Sequence, residues 1–253
     1  MERDRQHALA TFVAHEALGR GANALLGEDV AQHMRARRLE PGATVRLLDG
    51  QVGRAIGVLR RLAKSSATVE IGEVEQVATP APLHVLVPIA DKERMLWLAE
   101  KATELGIASW RPVSWRRSKS VTPRGEGAAF MAKVRARMLS ALEQSGGAWL
   151  PSAFPDATIE RALAAAPQGD RLLLVQDGAP ILARPLTAPI VLAVGPEGGI
   201  EADERARFEE AGFRPVSLGD TVLRFETAAI AALAIARATV TVLPDQILEH
   251  ADG

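Results

Sequence analysis

The sequence predicts an α/β protein in which a parallel sheet follows a small β-rich unit. Three observations carry this. Residues 83–113 read as strand, helix, strand. Residues 191–230 set two glycine-containing turns after short strand-like runs. Residues 44–71 hold short strand-like runs joined by a turn, and residues 67–71 alternate with period two, as half-buried strands do.

At 253 residues the chain is long enough for one large domain or two ordinary ones, and its 47% hydrophobic content can fill a core. No stretch of eighteen apolar residues occurs, so no membrane span is expected. The first five residues carry mixed charge without an apolar stretch, so a signal peptide is not expected. The chain has no cysteine, which excludes disulfides, thiolate metal sites and a cysteine nucleophile and fits a cytoplasmic protein. The histidines, His7, His15, His33, His84 and His250, show no metal-binding spacing, and no metal site is expected. The net charge is −1, but its distribution is uneven. Residues 111–137 hold eight basic side chains and one acidic one, while residues 196–253 hold five arginines against eleven acids. Such asymmetry fits a basic face for nucleic acid, and equally a solvated helix face with a charged loop.

In the N-terminal unit, residues 28–38 read as a short helix bearing His33, Arg35, Arg37 and Arg38. Arginine suits phosphate because its planar fork donates two hydrogen bonds. Arg35, Arg37 and Arg38 are therefore candidate RNA contacts, with a plain solvated helix as the alternative. Residues 44–48 read as a strand, Asp49-Gly50 as a turn, residues 54–59 as the return strand and residues 67–71 as a third. Residues 77–82 contain two prolines among small residues and read as a linker. The expected domains are thus 1–76 and 83–253.

The second domain opens with an apolar run, 83–89, as in a strand buried on both faces. Asp91 can cap a helix over 92–105, with Leu98, Ala102 and Leu105 at helical spacing and Gly106 as its stop. Residues 107–113 return as a strand, completing a βαβ unit of right-handed crossover. Arg116, Arg117 and Lys119 follow in a loop, where basic groups suit RNA phosphates. A helix is expected over 128–144, with Gly146 as its C-terminal cap, and buried strands over 171–175 and 190–194. Residues 201–211 read as a helix and 214–218 as a strand. Thr227 is expected to cap a last, alanine-rich helix over 228–240.

Two turns beyond neighbouring strands, Gly195-Pro196-Glu197-Gly198-Gly199 and the one at Gly219-Asp220, mark the place where open α/β sheets bind ligands. Neither is a standard phosphate loop. A pair of tight structural turns is the alternative reading.

The residue pattern adds a specific resemblance. Gly195-Pro196-Glu197-Gly198-Gly199, then Ser217-Leu218-Gly219, then Leu223-Arg224-Phe225-Glu226-Thr227-Ala228 resemble the ribosomal RNA small subunit methyltransferase E family in order and spacing. So do Lys101-Ala102-Thr103-Glu104-Leu105-Gly106 and Glu143-Gln144-Ser145-Gly146. That family belongs to the SPOUT superfamily of S-adenosylmethionine-dependent RNA methyltransferases. The resemblance implies methylation of N3 of a uridine in 16S rRNA, uridine 1498 in the usual rRNA numbering. It implies an α/β fold with a SPOUT-type trefoil-knotted parallel-sheet domain, a small N-terminal PUA-like β-barrel domain and a homodimer. The N-terminal match is weaker: Arg38 falls on a family arginine, but Gln32 replaces a histidine and Ala36-Arg37 an apolar pair. Arg116 stands where the family has an acid, and Phe225 replaces a common threonine, removing one hydroxyl.

On this resemblance S-adenosylmethionine is held by Gly195, Pro196, Glu197, Gly198, Leu218, Gly219, Leu223, Thr227 and Ala228. Arg224 is the candidate catalytic residue, orienting the base or stabilising the oxygen charge that develops as N3 loses its proton. A salt bridge from Arg224 to Glu226 is the alternative. Glu104 is read as an anchor of its helix end, and the end of the 128–144 helix either as a base contact or as a simple cap. Two other functions stay open: a ribose 2′-O-methyltransferase of the same superfamily, and an RNA-binding protein without catalysis.

Overall fold

The computed structural model describes residues 9–14, 16–120 and 124–241, with Lys119 and Ser120 as backbone only. His7, His15, His250 and the expected second domain beyond residue 241 lie outside the described residues. The chain forms two compact units: residues 1–79 with 139–150, and residues 80–138 with 151–253.

The first unit is a five-stranded sheet in the order β1-β3-β4-β5-β2. Its strands are β1 (Thr11–Val13), β2 (Asn23–Leu26), β3 (Thr44–Leu48), β4 (Gly53–Leu62) and β5 (Ala67–Gln76). Strand β1 runs parallel to β3, and the other pairs are antiparallel. Alternate positions turn inward, so Val45, Leu47, Leu59 and Val69 share one core with Phe12 and Met34. The β3–β4 turn is set by Asp49, whose Oδ1 accepts N–H groups of Gln51, Val52 and Gly53. The sheet is open: among the described residues β1 and β2 do not pair. Helix α1 (Glu28–Ala36) buries Ala31 and Met34. It stops two residues before the expected end, because Arg38 takes a left-handed backbone at φ 57°.

The second unit is a parallel sheet in the order β12-β10-β11-β6-β7-β8, with β9 also on β7. Every pairing in it is parallel. Strands β6 (Leu83–Pro88), β7 (Ser109–Ser114) and β11 (Ile190–Val194) lie near their expected places, and β11 is buried throughout. Strands β8 (Ser152–Ala153) and β9 (Ala157–Thr158) are short. Strand β10 (Asp170–Pro180) extends well past its apolar run, with a register shift between Leu174 and Ala179 against β12 (Arg214–Ser217).

Helix α2 (Lys92–Glu104) is capped by Asp91, which accepts the N–H of Arg94 at 3.0 Å. It buries Met95, Leu98, Ala99 and Ala102. Helix α3 (Gly127–Ser145) is closed by Gly146 at φ 70°, whose N–H reaches the Leu142 carbonyl. Helices α4 (Ile159–Ala164), α5 (Ala202–Glu210) and α6 (Phe225–Thr239) complete the unit. Helix α6 packs against α2, β11 and β6. Its Arg237 donates to the carbonyls of Ala81, Leu105 and Gly106, tying three segments together.

Candidate active site

Parallel strands end their carboxyl termini on one side, and turns there can converge on a ligand. Two neighbours of β10 do so here. The carboxyl ends of β11 and β12, with the middle of β10 between them, open onto a cleft of about 320 Å³, within the range of small-molecule sites. The first turn contributes Gly195, Pro196 and Glu197, the second Leu218 and Gly219, and the approach to α6 Leu223 and Ala228. These seven predicted cofactor residues meet in one place. Gly198 and Thr227 do not line the cleft. The Gly198 carbonyl instead accepts a bond from Arg117 Nη1 at 2.8 Å.

Thr227 is not the cap of α6. The helix begins at Phe225 with Arg224 as its N-cap, and the Ala228 N–H bonds to the Arg224 carbonyl. Burial explains the earlier start: Phe225 and Glu226 are both enclosed, so the first turn is already part of the packed unit. Arg224 is exposed, and its side chain has no hydrogen-bond or ion-pair partner among the described residues. The expected alternative, a bridge to Glu226, does not form. Glu226 Oε1 lies 3.8 Å from Arg94 Nε, and Glu226 Oε2 is buried without a protein partner. Arg94 also bonds Glu197, so a side chain from α2 joins the first turn to the start of α6.

On the β10 side, Gln176 Nε2 donates to the Asp220 carbonyl at 3.0 Å and pins the second turn. Asp177 pairs with Arg205, whose guanidinium holds its carboxyl below the usual carboxylate range. These cleft residues escape the sequence reading because they lie past the apolar part of β10.

Arg116 and Arg117 belong to a 3-10 turn, Arg116–Ser120, behind the first turn. Arg116 bonds Asp203 through both terminal nitrogens, and its backbone N–H donates to buried Glu204 at 2.7 Å. Arg117 Nε donates to Glu201 at 2.6 Å. Both guanidinium groups therefore pair with α5 and its approach.

A family model described as RNA methyltransferase domain matches residues 77–237. A Synechocystis ribosomal RNA small subunit methyltransferase E is 30% identical over 79% of this chain and 67% of its own length. The Mycobacterium bovis protein of the same name is 30% identical over 84% of this chain and 85% of its own. The chain belongs to the ribosomal RNA small subunit methyltransferase E family. A solved family structure from Neisseria gonorrhoeae, bound to S-adenosyl methionine, superposes with a TM-score of 0.83. It is 29% identical and covers 91% of this chain and 97% of its own.

The remaining segments that resemble the family have structural partners. Glu104 accepts a bond from Lys101 at 2.8 Å, a pair within the last turn of α2. Glu143 accepts the Val13 N–H and faces His33 at 3.7 Å within the first unit, and burial pushes its carboxyl up. Arg35 is held by the carbonyls of Ala63 and Lys64, and Arg37 by His33. Arg38 is exposed and makes no side-chain bond among the described residues. The Lys119 side chain lies outside the described residues. No cluster of metal-ligating side chains occurs among the described residues, nor any helix able to cross a membrane.

Proposed function

We propose that this protein methylates N3 of a uridine in 16S rRNA, uridine 1498 by family likeness, using S-adenosylmethionine. The observation that carries the reading is the cleft, where both turns that resemble the family meet beyond the ends of β11 and β12. The fit to the cofactor is sound on its own terms. Apolar Val194, Leu218 and Leu223 suit a flat adenine.

S-adenosylmethionine, when bound, supplies an electrophilic methyl group on a sulfonium. Uridine N3 must lose its proton for the new N–C bond to form, and negative charge then spreads onto O2 and O4. Arg224, with a free guanidinium at the rim of α6, stabilises that charge and orients the ring. The two turns hold the cofactor in place, which converts methyl transfer into a step between fixed partners. Arg38 and Lys133, whose side chains are exposed and unpaired among the described residues, are candidate contacts to rRNA phosphates.

The same reading includes a trefoil knot in a catalytic domain over 83–253, a PUA-like RNA-binding domain over 1–76, whose sheet is open rather than a closed barrel, and a homodimer. The placement of β12 beyond β10, and the bridge from Thr187 to Thr241, support a threaded C-terminal segment. Light scattering tests the dimer.

Calorimetric titration with S-adenosylmethionine tests the core of the proposal. Saturable binding near one equivalent per chain supports it. Absence of binding, both alone and with 16S rRNA present, overturns it.

A further inference from the structure

Three consecutive residues after β7 all hold the segment 198–208. Trp115 is buried and stacks on Phe208, with centroids 4.8 Å apart and planes 12° from parallel. Arg116 donates its N–H to Glu204, which is 3% exposed, and its guanidinium to Asp203. Arg117 Nε donates to Glu201 at 2.6 Å, and its Nη1 donates to the Gly198 carbonyl at 2.8 Å. Ser118, next in the chain, is 2% exposed. The 3-10 turn is thus a fixed brace behind the glycine-rich turn.

Gly198 is shaped to this brace. A Cβ there would stand 3.1 Å from the Cβ of Arg117, closer than ordinary contact. Its neighbours Glu197 and Gly199 line the cleft, while the Gly198 carbonyl is taken by Arg117. One guanidinium therefore ties the turn at Gly198 to the helix approach at Glu201.

We propose that Arg117 is a positioning residue for the cofactor turn and not an RNA contact. The proposal rests on the reading of the cleft as an S-adenosylmethionine site. Without the double tie, Gly198 and Gly199 sample conformations in which the cleft is misshapen, and binding must first select the competent one.

The test compares wild type with Arg117→Ala, Arg117→Lys and Glu201→Gln. Arg117→Ala should weaken S-adenosylmethionine binding about tenfold by calorimetry. It should raise KM for S-adenosylmethionine similarly while kcat at saturation stays within about twofold. Arg117→Lys, which keeps charge but not the planar fork, should recover only part of the affinity. Glu201→Gln should shift affinity in the same direction. RNA affinity and its salt slope should not change in any of them. Unchanged cofactor affinity in Arg117→Ala overturns the proposal, and a salt slope lowered by about one charge would assign Arg117 to RNA instead. Hydrogen exchange at residues 198–200 gives a readout independent of the cofactor. Faster exchange in Arg117→Ala supports the brace, and unchanged exchange overturns it. Wild-type protein that binds no S-adenosylmethionine would sink the functional reading, while this exchange result would still decide the brace.

Discussion

Arg94 Nη1 lies 2.5 Å from Glu197 Oε1, so a side chain from α2 holds the glycine-rich turn at the cleft. The same guanidinium stands 3.8 Å from the largely buried Glu226. Removing it leaves Glu226 enclosed without a countercharge. Arg94→Ala should lower stability by about 1–3 kcal/mol in urea unfolding. Arg94→Ala combined with Glu226→Gln should recover part of that loss. An additive double variant would mean that the two side chains do not interact.

Arg224 is exposed at the start of α6, and its guanidinium is bonded to nothing among the described residues. Replacing it with alanine should not disturb the fold. Turnover should fall about 100- to 1000-fold, as on loss of a charge-stabilising donor, with cofactor affinity and Tm unchanged. Steady-state assays beside thermal melts check this, and unchanged turnover removes Arg224 from the mechanism.

Trp115 packs flat on Phe208 in the core of the second unit. Trp115→Ala should cost about 3–5 kcal/mol by denaturant unfolding, and Trp115→Phe less. A small effect in the alanine variant would mean that the brace does not depend on this stack.

Much of this architecture was legible because strong patterns lie close together in the chain. The apolar run at 83–89, the Asp91 cap and the Gly106 stop are local signals, and the βαβ unit they predict is present. The two glycine turns were legible for the same reason, and residues of both line one cleft. Strands β8 and β9 span two residues each, too few for any period to emerge. Arg116 and Arg117 read as phosphate ligands because their acidic partners stand more than eighty residues away. Thr227 looked like a cap because the sequence does not announce that a charged residue, Glu226, is buried in the first turn. Gln176 and Asp177 were missed because polar residues past an apolar run read as loop, whereas β10 continues through them.

His84 in β6 bonds Ser109 across to β7, and burial pulls its pKa below the ordinary 6.5. The unfolded chain therefore takes up the proton first as pH falls. The folding contribution of neutral His84 is complete above about pH 6.5 and shrinks as pH drops toward the folded-state pKa. His33, also lowered by burial and by Arg37, acts in the same direction. Thermal melts from pH 8 to pH 5 should show wild type losing stability more steeply than His84→Asn. Parallel curves would mean that His84 does not contribute.

The central claim is methyl transfer to uridine N3, and nucleoside mass spectrometry tests it most directly. Unmodified 16S rRNA, alone and in small subunits, is incubated with the protein and isotope-labelled S-adenosylmethionine, then digested to nucleosides. The account predicts labelled 3-methyluridine from one position, lost in Arg224→Ala. Label in a 2′-O-methylated nucleoside, or no label from either substrate, would contradict it.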